Sequence, residues 1–182
     1  MSLYNFCELG LYEEVDNFLK NDVSCINKKG YLDQTPLHFA VISPYRDINI
    51  IKLLLSKGAD PNIADSASTG WTPLHLACSS DNPHLLYEIV ELLLNNNANP
   101  NVKDCKGKTP LYYATNSLKI RELLLKRGAN PNIKDSDGWT PLDCICRADI
   151  GQLLLKYGAI PLYPHMQAIK LEMDIEELEI KR

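Results

Sequence analysis

Leucine triplets recur along this chain and set its hydrophobic pattern, at Leu53-Leu54-Leu55, Leu92-Leu93-Leu94, Leu123-Leu124-Leu125 and Leu153-Leu154-Leu155. A string of small and polar residues follows each one: Gly58-Ala59-Asp60-Pro61-Asn62, Asn97-Ala98-Asn99-Pro100-Asn101, Gly128-Ala129-Asn130-Pro131-Asn132 and Gly158-Ala159-Ile160-Pro161-Leu162. Before each triplet stands a second string, T-P-L, in Thr35-Pro36-Leu37-His38, Thr72-Pro73-Leu74-His75, Thr109-Pro110-Leu111-Tyr112 and Thr140-Pro141-Leu142-Asp143. Its starts lie 37, 37 and 31 residues apart, and two strings in phase mean tandem repeats.

Each unit reads as two short helices. The Thr offers its hydroxyl to the open N–H groups of the first turn, and the following Pro fits the first helical position, where its missing N–H costs nothing. The second helix carries the Leu triplet and stops at Gly58, Gly128 or Gly158, with Asn97 as the substitute that also tolerates a left-handed stop. The Asn-rich stretch beyond is a turn. One such helix pair cannot bury its Leu face alone, so the units must stack into a slab with no closed cavity.

These strings, T-P-L-H, L-L-L-x-x-G-A-D-x-N and D-x-x-G-x-T-P-L, resemble the ankyrin repeat. The resemblance implies an all-α solenoid, right-handed, of about five helix-turn-helix repeats with β-hairpin-like fingers. It spans residues 1–162, divided at about 1–29, 30–65, 66–104, 105–135 and 136–162. The first unit is degenerate. It keeps Leu3, Phe6, Cys7, Val15, Phe18 and Leu19 at helical spacings, and reads as an N-terminal cap. Connections are lengthened at 42–47, 65–70 and 79–86, where a surface loop adds little closure entropy. Residues 163–182 leave the pattern; Pro164 opens a ragged amphipathic stretch expected to be a C-terminal capping helix or tail.

Composition narrows the function. The 182 residues hold 19 Lys and Arg against 23 Asp and Glu, a net charge of −4 that disfavours nucleic acid or an anionic membrane as a bulk-charge partner. No apolar run approaches the roughly 20 residues of a membrane span. With no secretory leader in view, the expected location is cytoplasmic. Six scattered cysteines read as reduced thiols, and the single C-x-C at Cys144 and Cys146 lacks the second pair a structural zinc site needs. Cys105 is the thiol expected to react, because Lys103 and Lys106 stand beside it.

Catalytic motifs are absent from the sequence: no phosphate-cradling loop, nucleophile elbow or zinc-protease helix occurs, so neither enzyme activity nor a cofactor or metal is expected. His38 and His75 occupy the fourth place of T-P-L-H in separate units. There the resemblance implies a structural tie, with Tyr112 and Asp143 in the same role. Asn62, Asn101 and Asn132 follow a Leu by eight residues, and their amides are expected to tie the turns together.

What remains is recognition. Trp71 and Trp139 stand directly before the capping Thr, where an ankyrin hairpin projects toward the concave groove; Tyr31, Leu32, Gln34 and Lys108 occupy comparable places. Residues 1–100, 101–134 and 135–182 carry nets of −6, +6 and −4, so the basic charge gathers in one unit. Lys106 and Lys108 are therefore expected to meet an acidic segment of a protein partner. The expected function is non-catalytic protein–protein interaction by a monomer. Short stand-alone arrays of this kind resemble those of intracellular bacteria and large DNA viruses, which implies an effector on a host protein in the host cytoplasm. The alternatives are an adaptor whose tail recruits a second protein and, more weakly, a fragment of a larger enzyme.

Overall fold

A computed structural model describes residues 1–66, 68–80, 83–115, 117–144 and 147–162. The helices alternate in the order the repeats imply: α1 (Leu3–Glu8), α2 (Tyr12–Asn21), α3 (Pro36–Ile42), α4 (Ile48–Ser56), α5 (Pro73–Ser79), α6 (Pro83–Asn95), α7 (Pro110–Tyr113), α8 (Leu118–Lys126) and α9 (Ala148–Lys156). No strand occurs among the described residues. The first helices pack in a row, α1 on α3 on α5 on α7. The second helices form a parallel row, α2 on α4 on α6 on α8. Every unit thus buries its apolar stripe against its neighbours, with Leu37, Leu74 and Leu111 from the first row meeting Leu54, Leu93 and Leu124 from the second.

Local chemistry starts and stops these helices. Thr35, Thr72 and Thr109 hold extended backbone, and a proline follows each as the first helical residue. At the far end of α4 the Gly58 N–H reaches the Leu55 carbonyl (3.1 Å) and the Ala59 N–H the Leu54 carbonyl (3.0 Å), which closes the helix through a left-handed residue at φ +94°. Asn97 does the same work after α6 at φ +65°.

The last units depart from the helix-pair expectation. α7 is a single turn of four residues, ended by Ala114, whose carbonyl accepts the Arg121 Nε–H at 2.6 Å. In the fifth unit Pro141 to Cys144 form a turn instead of a first helix, although the start signal is intact: the Asp143 carboxylate accepts the Thr140 N–H (2.8 Å) and hydroxyl (2.7 Å). Only eight positions separate Thr140 from Ala148, where α9 begins, which leaves too little chain for a first helix. The capping helix or tail expected at 163–182, and Cys146 of the C-x-C pair, lie outside the described residues.

Candidate functional site

Four short loops enter the helix pairs and line one edge of the stack as fingers. Each is closed by one backbone hydrogen bond: Gly30 N–H to the Gln34 carbonyl (2.8 Å), Asp65 to Trp71 (2.8 Å), Asp104 to Lys108 (2.9 Å) and Asp135 to Trp139 (2.8 Å). In the last three the closing Asp is buried, and its Oδ1 accepts further N–H groups of the same finger: Trp71 (2.7 Å) on Asp65, Lys106 (2.8 Å) and Lys108 (2.9 Å) on Asp104, Asp137 and Trp139 (3.0 Å each) on Asp135. Burial alone would raise the Asp104 carboxyl, yet these bonds and the Tyr113 hydroxyl hold it below the ordinary carboxylate value.

The fingers are joined by a second ladder. Ser66 N–H donates to the Leu32 carbonyl (2.9 Å), Cys105 N–H to Thr69 (3.1 Å) and Ser136 N–H to Lys106 (2.9 Å). This makes Leu32, Thr69 and Lys106 equivalent tip residues, and Asp137 holds the corresponding place on the fourth finger. All four are exposed. One edge therefore presents an apolar, a hydroxyl, a basic and an acidic side chain in an order fixed by the ladder.

Deeper in the stack, the fourth residue of the first three T-P-L strings ties one unit to the next, whereas Asp143 of the last, among the described residues, bonds only Thr140 of its own unit. His38 Nδ1 accepts the Thr35 N–H (3.1 Å) and lies 2.8 Å from its hydroxyl, so the proton sits on Nε2, which donates to the Trp71 carbonyl (3.0 Å). His75 repeats the pattern with Thr72 and the Lys108 carbonyl (3.2 Å). Burial pushes both imidazoles below their ordinary value, so they remain neutral. Tyr112 takes the same place and its hydroxyl reaches the Trp139 and Ile133 carbonyls, but it returns nothing to Thr109, whose buried hydroxyl has no partner. On the opposite turns Asn27, Asn62, Asn101 and Asn132 form a third ladder. Asn101, for example, donates to the Gly128 carbonyl (2.9 Å) and accepts the Asn130 N–H (2.8 Å).

The residues singled out from sequence meet different fates. Tyr31 is 77% exposed, Leu32 53% and Trp139 40%. Lys106 is also exposed. Trp71 is half-buried: its Nε1–H donates to Asp104 Oδ2 (3.2 Å) and its ring packs on Tyr113 with centroids 4.8 Å apart. Tyr113 in turn donates its hydroxyl to Asp104 Oδ2 (2.5 Å). Lys108 is half-buried, its ammonium 3.9 Å from Asp135 and 5.8 Å from the Tyr112 ring centroid. Gln34 corrects the expectation of a projecting side chain. It is buried, because the chain turns inward there to present Thr35 to His38.

Sequence reasoning missed the two polar tips, Thr69 and Asp137, whose signal was their fixed distance before the T-P-L strings. It also missed the backbone of the first finger. The residue after the tip is left-handed in all four fingers; Gly70, Gly107 and Gly138 take that place in three, and Asp33 takes it at φ +57° in the first. Leu32 is left-handed too, at φ +55°. Holding a side-chain-bearing residue there costs on the order of 1–3 kcal/mol.

No helix among the described residues is long and apolar enough to cross a membrane, and no group of three or more His, Cys, Asp or Glu among them is gathered as metal ligands would be. Ankyrin repeats in three copies match residues 45–135 and 86–164. Among relatives, NF-kappa-B inhibitor alpha of Homo sapiens is 44% identical over 71 residues, 39% of this chain and 21% of that protein. B-cell lymphoma 3 protein homolog of Mus musculus is 34% identical over 86 residues, 47% of this chain and 18% of its own length. Protein phosphatase 1 regulatory subunit 27 of Homo sapiens is 37% identical over 79 residues, 42% of this chain and 47% of its own. The chain thus spans about a fifth of the first of these and under half of the last. The stacked helix pairs, the His ties and the repeat match agree: this chain belongs to the ankyrin-repeat family.

Proposed function

We propose that the chain is a non-catalytic recognition module that binds a partner protein along its finger edge and the adjoining concave face. The observation that carries this reading is the contrast within the fingers. The ladder bonds that join them repeat from unit to unit, while the exposed tips Leu32, Thr69, Lys106 and Asp137 differ in chemistry at equivalent positions. A scaffold that keeps its frame and varies its tips suits selective contact with another macromolecule.

Trp139, exposed beside the fourth finger, serves as an aromatic anchor, and Lys106 and Lys108 favour an acidic stretch of the partner. Trp71 contributes through its outer edge, since its indole N–H is held by Asp104. The relatives named as an inhibitor of NF-kappa-B and a regulatory subunit of a phosphatase support a regulator that acts by binding; the likeness to short arrays of intracellular bacteria and large viruses extends this to an effector on a host protein. The test is affinity capture from host lysate with the intact chain, with Trp139→Ala and with Lys106→Glu, each checked for unchanged melting. A partner held by the intact chain and released by both variants supports the reading; a partner held equally by all three refutes it.

A further inference from the structure

Within that reading, on which this inference rests, the four fingers do not contribute equally. The first is shaped differently. Where the others place glycine after the tip, it places Asp33, and Leu32 itself is also forced left-handed. The result is a tip on which Tyr31 and Leu32 stand 77% and 53% exposed, side by side. Neither is needed to hold the fold: the ladder bond from Ser66 uses only the Leu32 carbonyl, which a glycine would supply equally. A strained backbone that displays two apolar side chains to solvent is a site awaiting a contact.

Two fingers along, the equivalent tip is Lys106. Of the three lysines on or beside that finger, Lys103 donates to the Lys134 carbonyl (2.8 Å) and Lys108 faces Asp135, whereas Lys106 makes no ion pair among the described residues. Between the apolar and basic tips lies the neutral tip Thr69. Beyond the basic one stands Asp137, which repels an acidic ligand that overshoots. The charge order gives the edge a direction.

We propose that the partner docks as an extended segment, with a bulky apolar side chain on the Tyr31–Leu32 tip and an acidic pair on Lys106. The separation follows from the stack. Packed helices lie roughly 10 Å apart, so two steps cover about 20 Å. An extended chain advances about 3.3 Å per residue, which places the acidic pair about six residues from the apolar one.

The test uses labelled synthetic peptides of Ser and Thr carrying one Phe and an Asp-Glu pair at separations of three, six and nine residues, in both directions, with binding to the full chain read by fluorescence anisotropy. One direction at six residues is expected to bind best, by at least tenfold over the other separations. Leu32→Gly and Lys106→Glu should each weaken that peptide by tenfold or more. Lys106→Glu should gain affinity for the peptide in which Lys-Lys replaces Asp-Glu. Leu32→Gly keeps the fold, because glycine accepts the left-handed backbone freely, and its melting temperature should hold or rise. No binding, no preference for separation, or indifference to Leu32→Gly overturns the inference. If those results occur while the captured partner is still released by Trp139→Ala and Lys106→Glu, recognition by this edge survives and only the extended two-point mode fails. If the captured partner also ignores both variants, the broader reading fails.

Discussion

His75 couples the stability of the stack to pH. In the folded chain its Nδ1 accepts from Thr72 and its Nε2–H donates to the Lys108 carbonyl, a pairing that only the neutral ring can make. A proton on Nδ1 would break the contact with the Thr72 N–H and place an added charge in a buried site. The unfolded chain takes up that proton near 6.5 while burial lowers the folded value, so the unfolded state binds more protons as pH falls. Stability is therefore fully present above 6.5 and lost as pH drops below it. Between pH 7.5 and 5.5 the loss per neutral histidine is up to about 1.4 kcal/mol, and about twice that with His38, which is held in the same way. His75→Asn removes one titrating ring. At pH 7.5 it should cost about 2–3 kcal/mol, because the Lys108 carbonyl loses one of its two donors, keeping only the Asp104 N–H, and the ring leaves a void. The gap between the variant and the parent should then narrow by up to about 1.4 kcal/mol on going to pH 5.5. Urea unfolding followed by circular dichroism at both pH values measures this. If the parent and His75→Asn lose the same stability over that interval, the ring is not held neutral and the argument fails.

Three further outcomes can be measured by thermal or urea unfolding. Thr109→Val should be neutral or stabilise by about 1 kcal/mol because it removes a buried hydroxyl with no partner, whereas Thr72→Val, which cuts the bond to His75, should destabilise by about the same amount. Gly138→Ala puts a side chain at φ +85° into open space and should cost about 1–2 kcal/mol. Gly107→Ala should cost clearly more, because its new Cβ would lie 2.8 Å from the Ser136 backbone nitrogen and push the fourth finger off its ladder; equal losses in the two variants would refute this. Asn101→Ala breaks two bonds to the next turn and should cost about 1–2 kcal/mol, while leaving the secondary structure seen by circular dichroism unchanged.

The fold was readable from sequence because its signals are local. A Thr followed by Pro starts a helix, and a Gly or Asn after a Leu triplet ends one, through contacts within five residues. What stayed hidden depends on distant partners. Trp71 reads as a projecting anchor until Asp104 and Tyr113, 33 and 42 positions away, are seen to hold it. The turn at Pro141–Cys144 kept an intact start signal, but the short connection to α9 denied it a helix. The left-handed pair in the first finger was unreadable for a different reason: three fingers announce the backbone of Asp33 with glycine and the first does not, and the left-handed Leu32 has no counterpart at the other tips. Leu32 and Lys106 are candidates from sequence alone, yet their equivalence and order come only from the ladder that sets the fingers in register.

That ladder has a polarity. Every rung runs the same way, from an amide of the later finger to the tip carbonyl of the earlier one, as subunits add head to tail along a filament. Each unit thus carries one donor and one acceptor on this edge, and any two units with fingers of this shape can sit next to each other. A unit copied in between the second and third fingers would find its acceptor in the Thr69 carbonyl and its donor in the Cys105 amide. The spacing between Leu32 and Lys106 would grow by one step, with no new kind of join. Length and chemistry along the edge can vary independently by unit duplication, which makes the gap between two tips a quantity that selection can tune.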